Sequence, residues 1–78
     1  MTSYEARHRA RADVDAVRDR LIAEFGYELP SGTVVRHVAS AREELLRAGV
    51  RAGLAHAVEA MARRRLADLL PAHAGAGV

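Results

Sequence analysis

At 78 residues and with no cysteine, this chain has room for one small domain and cannot use disulfides, thiolate nucleophiles or cysteine-bound metals. Chains this short bury only about 60% of their unfolded surface, so they tend to need a staple or a partner. The formal net charge of +2 is too small to imply nucleic acid by itself.

Seventeen alanines and few β-branched residues outside valine point to an all-helical chain. There are twelve arginines and no lysine, a pattern read as high-GC coding replacing lysine rather than as a choice of arginine for phosphate or carboxylate contacts. The four histidines (His8, His37, His56, His73) lie far apart, and no pair has the spacing that sets two ligands on one helical face. No cofactor or metal is expected. No apolar run approaches the roughly 20 residues of a membrane span. The first residues lack the apolar stretch of a signal peptide, so a cytoplasmic location is the expectation.

Residues 1–12 carry Arg7, Arg9 and Arg11 against Glu5 alone. With Tyr4 the only large apolar side chain after Met1, they read as a basic extension, either a frayed continuation of the first helix or disordered. The bundle proper is expected over residues 13–70. From Asp13 the pattern sharpens, with Val14, Val17, Leu21 and Phe25 at the three–four spacing of one helical face and Ile22 beside them. Residues 13–28 are acidic, with Asp13, Asp15, Asp19, Glu24 and Glu28 against Arg18 and Arg20. Gly26 is expected to stop this helix in the left-handed conformation, with Tyr27 folding back on Ile22.

Leu29-Pro30 ends any continuation. Ser31 is expected to cap the second helix, and Gly49 to end it, with Val50 placed to touch Leu45. At about 100° per residue, Val34, Val38, Ala41, Leu45 and Ala48 form one stripe of that helix. Val35, Ala39 and Leu46 form a second, with Arg42 between. The second stripe reads either as more core or as a contact surface for another chain.

The third helix, from about Leu54 to Leu70, shows Leu54, Val58, Met61, Ala62, Leu66 and Leu69 on its face and stops at Pro71. Arg65 falls inside its apolar arc. A charge there either snorkels to the rim or forks onto a carboxylate, such as Asp13, Asp15 or a residue of a second subunit. The tail, residues 71–78, has nothing to pack and is expected to be disordered.

The runs VDAVRDRLIAEF, TVVRHVASAREELLRAGV and VEAMARRRL resemble a small three-helix-bundle dimerisation domain of high-GC bacteria. That domain stands in front of low-molecular-weight tyrosine-phosphatase-like and arsenate-reductase-like proteins and also occurs alone. The likeness rests on Val17, Leu21 and Phe25, on Thr33-Val34-Val35, and on Ala62-Arg63 with Arg65-Leu66, and spans roughly residues 13–70. It implies a homodimerising helical module, and it implies no phosphatase or reductase chemistry, which needs a cysteine nucleophile.

The expectation is therefore an all-α three-helix bundle with short loops, homodimeric through its second and third helices, and not an enzyme. The partner is itself or a related helical domain. The expected interface residues are Val35, Ala39, Arg42, Leu46, Val58, Arg65 and Leu66. A helix-turn-helix DNA-binding regulator is the alternative, built on the Gly49–Gly53 turn, with Arg7, Arg9, Arg11 and Arg63–Arg65 to meet phosphates. The exposed side of its would-be recognition helix has no Asn, Gln, Ser or Thr to read base edges. Glu43 with Arg47, and Glu59 with Arg63, have the spacing of surface ion pairs.

Overall fold

A computed structural model describes residues 3–70 of the chain. Among these, three helices and no strand are present: α1 over Ser3–Phe25, α2 over Ser31–Arg47 and α3 over Leu54–Asp68. Each packs against the other two, most extensively α2 on α3 and least α1 on α2. The residues for which the sequence left both a helical extension and disorder open belong, from Ser3 onward, to α1. The tail at 71–78 lies outside the described residues.

The core follows the helical spacing. Val14, Val17, Leu21 and Phe25 of α1 meet Val34, Val38 and Ala41 of α2 and Leu54, Val58, Ala62 and Leu66 of α3. Full burial of one such valine, leucine or phenylalanine contributes roughly 1.5–3 kcal/mol, and no charged or polar residue among those described is buried with them. Leu45, Leu46 and Val50 are half-buried and lean on this cluster.

The helix ends differ from one another. After α2, Gly49 turns left-handed at φ 90°. The Val50 N–H then donates to the Leu45 carbonyl at 2.9 Å and the Gly49 N–H to Leu46 at 3.0 Å, which satisfies two of the last open carbonyls. Gly26 does not repeat this device. Positive φ occurs at Gly49 and Gly53 and not at Gly26. The Phe25 carbonyl instead accepts from both Glu28 and Leu29 N–H groups, at 3.0 and 2.9 Å, as the chain keeps turning right-handed.

Tyr27 is thereby carried outward and is 97% exposed, so it does not fold back on Ile22. Glycine is needed at 26 for room, because a Cβ there would stand 2.5 Å from the Ile22 carbonyl oxygen. Ser31, expected as the cap of α2, is its first helical residue, and no side chain bonds the helix start. Pro30 takes the capping place in extended geometry (φ −60°, ψ 144°), and its carbonyl accepts from Thr33 and Val34 N–H.

Candidate functional site

The least tightly packed pair, α1 and α2, leaves an open groove of about 270 Å³. Its α2 wall is Val35, Val38, Ala39 and Arg42; its α1 wall is Arg11, Val14, Asp15 and Arg18. Val38 and Val14 form a buried floor, while Val35 is 42% exposed and Ala39 and Arg42 stand in solvent. Three arginines and one aspartate therefore rim an apolar trough. Arg18 is engaged on its own helix, within 3.4 Å of Asp15 and 3.1 Å of Asp19. Arg11 and Arg42 form no ion pair among the described residues.

The expected interface residues divide into three groups. Val35, Ala39 and Arg42 come together at the groove. Leu46, on the same stripe, is half-buried against the core. Val58 and Leu66 have no exposed surface at all; they pack inside their own bundle and have nothing to offer a second chain.

Arg65 is paired within the chain, to a partner other than the aspartates expected. Its Nη1 donates to Glu44 Oε2, and its Nη2 to Glu44 Oε1 at 3.1 Å. The hydrogen bond from Arg65 is the main cause that holds the Glu44 carboxyl below the ordinary glutamate range, and Glu44 in turn raises the Arg65 guanidinium.

Between α1 and α3 runs a chain of alternating charges. Arg20 Nη2 donates to Glu59 Oε1 at 2.7 Å. Arg63 Nη2 donates to Glu59 Oε2 at 3.1 Å and to Glu24 Oε1 at 2.9 Å. The hydrogen bond from Arg20 is the largest cause lowering the Glu59 carboxyl, followed in the same direction by that guanidinium's charge and by Arg63. The Glu59–Arg63 pair has the spacing read from the sequence, as has Glu43–Arg47 at 3.9 Å.

The α1 wall of the groove was not read from the sequence as a site. Its signal is nonetheless present: Arg11, Val14 and Arg18 recur at three and four residues, one stripe of α1. Glu44 as the partner of Arg65 left no comparable trace, because the two come from different helices.

Among the described residues no group of three or more His, Asp or Glu could hold a metal ion, and no helix is long and apolar enough to cross a membrane. No family model, no curated protein and no solved structure matches this chain.

Proposed function

We propose that the chain is a non-catalytic interaction module that associates with another helical chain, a second copy of itself or a related helical domain, across the α1–α2 face. One observation carries the reading: Val35 and Ala39 stand open to solvent over a buried apolar floor, between arginines on two helices. A small bundle gains core from such a contact that it lacks alone. The resemblance to three-helix-bundle dimerisation domains, carried by Val17, Leu21, Phe25 and Thr33-Val34-Val35, points the same way.

Sedimentation of the chain at about 50 µM, a load that detects association of micromolar strength, with Val35→Glu as the comparison, tests self-association. A mass of two chains that falls to one in the variant supports a second copy as the partner. A monomer in both, together with no helix bound across this face, overturns the reading.

The DNA-binding alternative draws less support. Of the three consecutive arginines on α3, Arg63 and Arg65 are bonded to carboxylates and have less to give a phosphate.

A further inference from the structure

The interaction reading leaves open what lies in the groove, and the inference here rests on that reading. The geometry points to an acidic amphipathic helix, from a chain other than a second copy of this one, docked along the α1–α2 groove. Its apolar side meets Val35 and Ala39, and its carboxylates meet Arg11 on one wall and Arg42 on the other.

Charge decides between the occupants. With Arg18 engaged by Asp15 and Asp19, the groove presents two guanidinium groups, Arg11 and Arg42 on opposite walls, that form no ion pair among the described residues. A two-fold contact centred on the groove sets the same patch of both copies together, each residue of one against a different residue of the other. That patch carries three arginines against one aspartate, so a net positive surface would meet another, and such like-charge juxtaposition disfavours the pairing. A helix with carboxylates on both flanks of an apolar stripe answers both walls at once, through charge-assisted bonds that guanidinium geometry suits.

The shape of α1 adds to this. Among its residues whose burial is described, the first buried is Val14, while Glu5 and every residue from 8 to 13 are exposed. The α1 wall thus runs on toward the N-terminus past the core, with Arg11 on it. Helical turns that extend beyond a core are marginal in water, and a docked helix adds packing to them.

The test uses the whole chain and a labelled helical peptide of about four turns, with leucine at three–four spacing and glutamate on both flanks. Its companion carries lysine in place of each glutamate. Fluorescence anisotropy should show saturable binding of the glutamate peptide, weakened by added salt. Arg11→Glu and Arg42→Glu should each lose about tenfold or more. Arg51→Glu, an exposed site away from the groove, should leave affinity within about twofold, since a rim charge outside the contact acts only through the screened field.

Equal binding of the two peptides, or equal loss from Arg51→Glu and Arg42→Glu, overturns the acidic-helix assignment. A dimer dispersed by Val35→Glu, with no peptide bound, gives the groove to a second copy and overturns this inference while the interaction reading stands. If Val35→Glu alters neither mass nor peptide binding, both fail. Circular dichroism of each variant separates lost binding from lost folding.

Discussion

Arg65 of α3 grips Glu44 of α2 with both terminal guanidinium nitrogens, one to each carboxylate oxygen. The pair sits at the seam of the two helices with the Arg65 and Glu44 side chains 34% and 46% exposed. Exposed pairs gain little net stability because water and salt screen them. Arg65→Gln and Glu44→Gln should each lower the thermal midpoint only slightly, and the difference from the parent should shrink in about 1 M salt, where the Debye length is only a few ångströms. A large, salt-independent loss in thermal melts would contradict this.

The core responds on another scale. Leu21 and Leu66 are both fully buried, and truncating a buried leucine to alanine costs about 2–5 kcal/mol. Small domains hold roughly 5–15 kcal/mol in total. Urea titration of Leu21→Ala or Leu66→Ala should show a large drop in midpoint, or a chain already unfolded in buffer.

Two glycines should fail for different reasons. Gly49→Ala meets the cost of a left-handed residue, about 1–2 kcal/mol, and Gly49→Asn should recover part of it because asparagine tolerates that region. Gly26→Ala instead drives a methyl against the Ile22 carbonyl, so Gly26→Asn should be no better than alanine. Equal rescue by asparagine at both positions in chemical denaturation would refute the distinction.

Acid should loosen the bundle through Glu59 and Glu44. Both carboxyls are held below their ordinary range, by the hydrogen bonds of Arg20 and Arg65 respectively. A depressed folded value means that the unfolded chain binds protons first. The stabilisation is present above the ordinary glutamate value of about 4.3 and is lost as pH falls through the lower folded value. Thermal midpoints measured from neutral pH downward should fall in that window, and Glu59→Gln should flatten the acid limb.

Tyr27 checks the turn after α1. With its ring 97% exposed, Tyr27→Ser should change stability by no more than about 0.5 kcal/mol. A ring folded on Ile22 would cost more, which differential denaturation of the two proteins would reveal.

What was legible in the sequence tracks how local the determinant is. The spacing of Val14, Val17, Leu21 and Phe25 named the α1 core face, and Gly49 with Val50 named the end of α2. Both depend on neighbours within a few turns. The same reasoning failed at Gly26, where the Phe25 carbonyl takes both the Glu28 and Leu29 N–H groups, and at Ser31, because Pro30 in extended geometry already holds the capping place. On α2, Val35, Ala39 and Arg42 were recognised as surplus to one neighbour. That α1 would supply the facing wall depends on how two helices are set against each other, which no single stretch encodes. Val58 and Leu66 were misplaced for a related reason, since a wide apolar arc in a three-helix bundle is consumed by two internal neighbours.

Arg20–Glu59 and Glu24–Arg63 fasten α1 to α3, and Glu44–Arg65 fastens α2 to α3. Every one of these inter-helix bonds has α3 as a member, so α3 is the spine to which two leaves are bound. Salt that screens those three bonds therefore acts on the two seams of α3, and among the described residues it leaves the α1–α2 seam to the apolar packing of Val14 and Val38.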